Sequence, residues 1–560
     1  MLDVISRSQR ARICEYTRKD QKISTPAMIR SDAEGPVWIE TSGDDRVLHL
    51  MGDGIKMESG LRITSNSGMP GEAESVDGVA VVRLPLPEDL AFDDSIDFII
   101  VPNAYELRKD PRRIIDCVMR LRKAAGFNRI LYMSGIGEPS TVALLALMGV
   151  DLFDDALPRA AGISGIRLIP EAEIVTGQDE AEANTAAMEE ELEKVRMFIK
   201  ADRLRELADQ RAPSTPTSVA LLRLYDDIGY EYAEETCSFV GCRFSCNTTQ
   251  ALKRPDIRSY KARMKQYRKP ENKRVLLLLP CSAKKPYHIS KSHKAFSSAI
   301  HTAPHDTLVQ ELIVTSPLGA VPRELDAFYP ANSYDIPVTG QWKPEEKSMI
   351  REMVGDIISQ GWDAVVCHLG EDYELVEGLA DMQCTVVGDV TSPASLQNLD
   401  KALRDATKGM DPVDYMIDRN NMMLNMLRFQ FGPEAADILM DPDTYAIGKF
   451  PYFKLFRETG GSKIQLGMFT PERGGISLTL EGAQILADGG YPVIDIMDFE
   501  MKGNLFAVGV IKADPSIHVG DEAIAVCDGK VRAVGVAAMC GQEMTDLKRG
   551  IAVKVRHKSK

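Results

Sequence analysis

Long apolar runs are missing from the chain, and none approaches the ~20 residues that a membrane-spanning helix needs. The N-terminal stretch MLDVISRSQRARICEY has no apolar segment followed by a small-residue cleavage site, so no secretory signal is expected and the expected compartment is the cytoplasm. Cysteine is sparse. Ten in 560 residues cannot build a secreted disulfide scaffold, and they read as buried free thiols in a reducing compartment. Cations are outnumbered, 67 Lys and Arg against 82 Asp and Glu, and a net charge of −15 gives no overall hold on nucleic acid. What is present is an ordinary globular composition, 44% hydrophobic and 27% charged, in a chain long enough for three or four domains at roughly 100–200 residues each.

Between residues 46 and 170, short β-rich segments (AVVRLPL, DFIIVP, RILYMSG) alternate with helix-like ones such as DPRRIIDCVMRLRKAAG from Asp110. That alternation predicts an α/β architecture with a mostly parallel sheet. From 185 to 211 the pattern is one charged helix, with Met188, Leu192, Val195 and Ile199 at spacings of three and four. The stretch APSTPTS at 212–218 reads as a linker. Over 219–405, three strand candidates each end in polar chemistry: VLLLLPCSAKK from Val275, LIVTSPLG from Leu312 and DAVVCHLGED from Asp363. Ligands of open α/β sheets collect at the carboxyl ends of strands, so this block is expected to hold the active site. After residue 411 comes a Met-rich stretch, YMIDRNNMMLNMLRFQFG, which reads as adaptable core. From Ile476 onward, closely spaced turns between short apolar strands predict a compact β-barrel or sandwich.

The most informative segment is PCSAKKPYHISKSH, residues 280–293. It places Cys281 at the end of the leucine strand, with Lys284, Lys285, Tyr287, Ser290 and His293 close behind. Cations favour the reactive thiolate, so Cys281 and His293 read as a nucleophile with its acid/base partner. The alternative is a buried thiol at a strand end beside a solvated basic loop. Cys367 and His368 are neighbours on a strand and face opposite ways, which makes a poor dyad. Cys237, Cys242 and Cys246 are spaced C-x4-C-x3-C; zinc would need a fourth ligand and usually tighter pairs, and no other cofactor is indicated.

Local charge departs from the whole. Residues 251–294 hold 14 Lys and Arg against two acids, a net of +12, so the other 516 residues carry −27. Lys253, Arg254, Arg258, Lys261 and Arg263 fall here, interleaved with Tyr260, Tyr267 and Tyr287, as on a surface that follows phosphates and stacks bases. A solvated basic helix would give the same count. The last 13 residues, KRGIAVKVRHKSK, add six cations and no acid, among them Lys548, Arg549, Lys554 and Arg556.

The 280–293 segment matches, residue for residue, the P-C-x3-K-P-Y-x2-S-x2-H signature of archaeosine synthases, archaeal relatives of tRNA-guanine transglycosylase. From Asp411 to Lys560 the chain also resembles the C-terminal modules of those proteins, in TPERGGISLTLEGAQIL, KGNLFAVGV, VGDEAIAV and VRAVGVAAMCGQEMTDLKRGIAVKVRH. TPAMIR from Thr25, VPNAYEL from Val101 and GVDLFDDALPRAAG from Gly149 resemble landmarks of the transglycosylase barrel. No D-S-G segment follows VPNAYEL, and no C-x-C-x2-C with a later histidine precedes the helix at 185. The resemblance therefore carries over neither the structural zinc nor the nucleophilic aspartate of a true transglycosylase.

The resemblance implies an α/β multidomain protein: a degenerate transglycosylase-like (β/α) barrel over 1–211, an α/β core catalytic domain over 219–405, a small α+β domain over 411–475 and a C-terminal β-barrel PUA domain over 476–560. It implies a reaction on the nitrile of 7-cyano-7-deazaguanine at position 15 in the D-arm of tRNA. The nitrogen donor is lysine by preference, with a partner radical-SAM enzyme cleaving the adduct, or else glutamine or ammonia. Cys281, Lys285, Tyr287, Ser290 and His293 are the implied catalytic set. Two other outcomes stay open, an active base-exchanging transglycosylase and a tRNA-binding paralogue without chemistry.

Overall fold

The computed structural model describes residues 2–18, 20–31, 33–42, 45–51, 53–57, 73–76, 78–238 and 243–559. The chain divides into two compact units. One is Met1–Ser238 with Asn504–His518 and Ala538–Ala552; the other is Phe239–Gly503 with Val519–Ala537 and Val553–Lys560.

In the first unit, the apolar runs FIIV and ILYM form strands Phe98–Val101 and Ile130–Met133, buried along their whole length. Continuous burial suits a parallel sheet covered on both faces. The sheet runs in the order Ala27–Ile29, Leu152–Asp154, Ile130–Met133, Phe98–Val101, Val79–Val82, Ala73–Val76, and only the last pair is antiparallel. The degenerate barrel expected here thus takes the form of five mutually parallel strands, with helices Pro111–Ala125 and Val142–Met148 in the crossovers before and after Ile130–Met133. Helix Pro111–Ala125 starts where Asp110 accepts the Arg113 N–H at 3.1 Å and Pro111 takes the first helical position.

Two sequence expectations change. The single helix over 185–211 is two, Ala181–Lys200 and Leu204–Arg211, because the chain turns at Asp202 with φ 53°. The supposed linker at 212–218 leads straight into helix Pro216–Ile228: Pro216 sits at the first helical position, where it has no amide hydrogen to lose, and the Thr215 side chain accepts the Ser218 N–H at 3.1 Å. That helix is tied into the first unit by Asp226, which receives both arms of the buried Arg205 guanidinium at 2.6 and 2.8 Å. Prolines that break a helix in its interior here start one.

In the second unit, VLLLLP is strand Val275–Pro280. Leu276 and Leu278 pack into one core cluster, and Val275, Leu277 and Leu279 into another, so the alternation of a strand accounts for an unbroken apolar run. The five-stranded sheet runs Gly319–Pro322, Val309–Thr315, Val275–Pro280, Ala364–Cys367, Gln383–Cys384, parallel except for the first pair. The three expected strand ends therefore lie side by side. The Met-rich stretch is helix Tyr415–Phe431, with Met423 and Met426 fully buried in the core, as expected. An antiparallel sheet follows over Thr444–Lys449, Tyr452–Thr459, Ser462–Thr470 and Gly475–Leu478. Beyond it, strand Glu522–Cys527 pairs with Ile494–Ile496 on one side and with Lys530–Ala537 on the other.

Replacing Thr215 with Ala is expected to cost about 1 kcal/mol in urea unfolding, the usual worth of an N-cap side chain. A linker position would show no change.

Candidate functional site

Cys281 follows the last residue of strand Val275–Pro280, where the main chain leaves the sheet. The next helix, Lys291–Thr302, is started by Ser290, whose hydroxyl accepts the His293 N–H at 3.3 Å. That helix buries His293, Phe296 and Ile300 on one stripe, so the loop 281–290 is pinned at both ends. Ser290 is thus a helix cap.

Burial pushes the Cys281 thiol up from the ordinary cysteine value. The Thr315 hydroxyl and the charge of Lys285 pull against that shift, while Asp372 adds to it. Lys285 is itself held below the usual lysine value by burial, with Cys281 and Asp335 pulling it back up. Its Nζ lies 4.2 Å from the centre of the Tyr334 ring. Tyr287 is fully buried. Its hydroxyl donates to Thr315 Oγ1 at 3.1 Å and shares a hydrogen bond with the Tyr334 hydroxyl, which also bonds Thr315 Oγ1 at 2.6 Å. The structure thus brings Cys281, Lys285 and Tyr287 together, and adds Thr315, Tyr334 and Asp372.

His293 does not join them as an acid/base partner. Its Nε2 lies 3.0 Å from the Pro280 carbonyl, and its Nδ1 lies 2.8 Å from Arg323 Nη2. A carbonyl can only accept and a guanidinium can only donate, so the ring is neutral with its proton on Nε2. Burial and the Arg323 charge push its pKa down to about 2. The expected pairing of His293 with Cys281 gives way to a structural role. His288, not singled out from sequence, has its Nδ1 2.9 Å from Asp326, which also accepts from Arg323 at 2.9 Å.

Thr315 ends strand Val309–Thr315 and Asp372 lies in the turn of helix Gly370–Leu375 that follows strand Ala364–Cys367, so the rule about carboxyl ends reaches both. Tyr334, in PANSYDI, carries no such signal. Cys367 and His368 diverge as expected; His368 Nδ1 lies 2.7 Å from Thr385 Oγ1 and its Nε2 2.8 Å from the Val390 carbonyl. Of the three-cysteine cluster, Cys242 lies outside the described residues. Cys246 is buried near the site, where its thiol raises the Lys285 pKa.

The basic segment is less of a surface than its charge count implies. Tyr260 and Tyr267 are buried, with hydroxyls bonded to the Ala320 carbonyl at 2.8 Å and to Glu324 at 3.0 Å, and Tyr287 is spent as described. None of the three is placed to stack a base. Arg254 is buried against Asp256, with its guanidinium 4.6 Å from the Phe244 ring, and Arg263 lies 4.3 Å from the Phe429 ring. Both are turned inward. Lys261 is half-buried and its pKa falls to about 8 through desolvation, and Arg258 is half-buried as well. Lys253, Lys548, Arg549 and Lys554 are exposed. Arg556 is exposed and pairs with Glu522.

Comparison with known proteins matches residues 257–403 to a domain of unknown function (DUF5591), the span that contains the signature loop, and residues 495–558 to a PUA domain. The chain is 29% identical to the archaeosine synthase of Haloferax volcanii over 99% of this chain and 98% of that protein. It is 32% identical to the archaeosine synthase subunit alpha of Methanosarcina acetivorans, over 83% of this chain and 80% of that one. It is 25% identical to the tRNA-guanine(15) transglycosylase of Methanothermobacter thermautotrophicus, over 80% and 68%.

Alkylation of Cys281 by iodoacetamide, followed on its own peptide by mass spectrometry, is expected to climb with pH through and beyond the ordinary cysteine range. It should show no inflection between about pH 6 and 7, where a free imidazole titrates; one there would return His293 to the thiol. His293 is also expected to weaken the fold in acid. Its folded pKa is depressed, so its share of stability is whole above the ordinary value of 6.5 and is lost as pH falls towards 2. His293→Gln should therefore lose less stability than the wild type between about pH 6.5 and 4, read by urea unfolding at each pH.

Proposed function

The chain belongs to the archaeosine synthase family, and we propose that it adds a nitrogen nucleophile to the nitrile of 7-cyano-7-deazaguanine at position 15 of tRNA. It is a tRNA-modifying transferase. The observation that carries the chemistry is the placement of Cys281 at a strand end beside Lys285, inside a family likeness that runs the length of the chain.

A nitrile carbon is electrophilic. In the proposed reaction the Cys281 sulfur bonds to it, one π bond of the C≡N group opens, and the thiol proton passes through Lys285 to the nitrile nitrogen, giving a thioimidate. The donor amine then bonds to the same carbon. The C–S bond breaks, the amine's proton returns to sulfur, and an amidine remains. With lysine as donor the amidine keeps the lysine chain, and a radical-SAM partner would cleave it to the formamidine; with ammonia, free or released from glutamine, the formamidine forms directly. The Thr315 hydroxyl, which accepts from Tyr287, is the donor beside the sulfur.

The raised thiol pKa favours a second reading, direct attack by the donor amine with Cys281 only shaping the pocket. Base exchange and binding without chemistry are the remaining alternatives. Labelled free base incorporated into tRNA without a nitrile precursor would establish exchange.

Supplying nitrile-bearing tRNA with lysine, glutamine or ammonium and weighing the modified nucleoside is expected to give the lysine adduct most strongly. Cys281→Ala and Cys281→Ser are expected to lose at least a hundredfold in rate, within the usual worth of a covalent nucleophile with its base. Full amidine formation by both variants would leave direct attack. For tRNA binding, Lys548→Glu with Arg549→Glu should weaken affinity most at low salt and flatten its salt dependence, measured by filter binding over a range of KCl.

A further inference from the structure

Tyr334 lies outside the signature loop, on the short strand Tyr334–Asp335 that pairs in parallel with Phe244–Ser245. Three groups of the site converge on it. Its hydroxyl bonds Thr315 Oγ1 at 2.6 Å and also meets the Tyr287 hydroxyl. Its ring face carries Lys285 Nζ, 4.2 Å from the centroid. Burial holds Tyr334 and Tyr287 well above the ordinary phenol value, so both keep their protons and remain donors.

Three hydroxyls in a buried pocket hold three protons, and each can be given once. With the thiol neutral, the Thr315 hydroxyl donates to the Ser316 carbonyl at 3.1 Å and accepts from Tyr287. When Cys281 ionises, one rearranged order serves the sulfur: Thr315 turns its proton from that carbonyl to the sulfur beside it, Tyr334 donates to Thr315, and Tyr287 donates to Tyr334. Donors aligned in this way strengthen one another, and a hydrogen bond to a charged acceptor is worth more than one between neutral groups. The ring acts on the other partner. An aromatic face near an ammonium favours the charged form and opposes the desolvation that lowers Lys285. A single side chain thus works on the thiolate through its hydroxyl and on the ammonium through its ring.

We propose that Tyr334 is a positioning residue that sets the ionisation of the Cys281 and Lys285 pair, its hydroxyl feeding the relay to sulfur and its ring holding the lysine. This goes beyond the proposed reaction, since it concerns the state of the pair before any tRNA or donor arrives.

The test uses the full chain and the pH profile of Cys281 alkylation by iodoacetamide, read on the Cys281 peptide. Tyr334→Phe keeps the ring and removes the hydroxyl. It is expected to move the profile upward by about one pH unit, making alkylation about tenfold slower on the rising limb, with the same plateau at high pH. Tyr334→Leu removes the ring as well and is expected to move it further. Thr315→Val, which removes the donor at the sulfur itself, should shift the profile at least as far as Tyr334→Phe and leave nothing for Tyr334→Phe to add. On nitrile-bearing tRNA, Tyr334→Phe should lower kcat with KM for tRNA unchanged.

A Tyr334→Phe profile that overlays the wild type, or shifts that simply add in the double variant, would overturn the relay. Equal profiles for the Phe and Leu variants would overturn the role of the ring. Where the Leu variant fails to fold, Lys285→Met tests the same contact: it should bring the Tyr334→Phe profile to the position expected for Leu, and an unmoved profile overturns the ring's role. Alkylation needs neither tRNA nor donor, so an unmoved profile rejects this assignment and leaves the proposed reaction standing. A shifted profile in a protein that forms no amidine does the reverse.

Discussion

A buried guanidinium holds the signature loop to the sheet. Arg323 donates through Nε to Glu311 on strand Val309–Thr315 at 2.8 Å, through Nη1 to Asp326, and through Nη2 to His293. Two carboxylates make the charge tolerable at that depth. The guanidinium then dictates the state of His293: Nδ1 must accept, so Nε2 carries the proton, and that proton goes to the carbonyl of Pro280, the residue before Cys281. Asp326 extends the tie to both the main chain and the ring of His288. An arginine far along the chain thereby fixes the peptide that presents the proposed nucleophile.

This explains why the signature mixes two kinds of residue. A thiol displayed between a strand and a helix needs the strand stopped, the helix capped and the loop tied down within a dozen residues. Ser290 and His293 meet those needs, while Cys281, Lys285 and Tyr287 face one another. Within that second group burial prevails. Burial favours a neutral thiol and a neutral amine, and mutual attraction favours the charged pair, so the two tendencies oppose each other on both groups. The Thr315 hydroxyl stands with Lys285 on the side of the thiolate.

The parts of the fold and site that could be read from the sequence were those set by local periodicity. The strand Val275–Pro280, the ends of its two neighbours, the Met-rich core helix and the loop itself all follow from apolar spacing and chain breaks. Capping chemistry is ambiguous where one residue type has two uses: Pro216 starts a helix with Thr215 as its cap, although proline beside small polar residues usually marks a linker. For His293, proximity to cysteine in the sequence suggests acid/base work, and only the distant Arg323 and the Pro280 carbonyl show that both its nitrogens are occupied. Tyr334 carries no local signal, since it meets Thr315, Tyr287 and Lys285 from a short strand paired with Phe244–Ser245 that no local pattern encodes.

Charge needs the same correction for direction. The +12 over residues 251–294 was counted as though each cation faced water, yet Arg254 and Arg263 lie against aromatic rings and the interleaved tyrosines are core. An arginine stacked on Phe and paired with Asp attracts a phosphate far less than an exposed one, because its hydrogen bonds are used and its field is partly cancelled. Helix Pro255–Met264 therefore owes its basic composition in part to packing, since long cationic side chains cover apolar surface well. Seven of the fourteen cations over 251–294 stay exposed, Lys253, Lys265, Arg268, Arg274, Lys284, Lys291 and Lys294, as do Lys548, Arg549, Lys554, Arg556 and Lys558 towards the C-terminus. A segment's charge marks a nucleic-acid surface only after its inward cations are set aside.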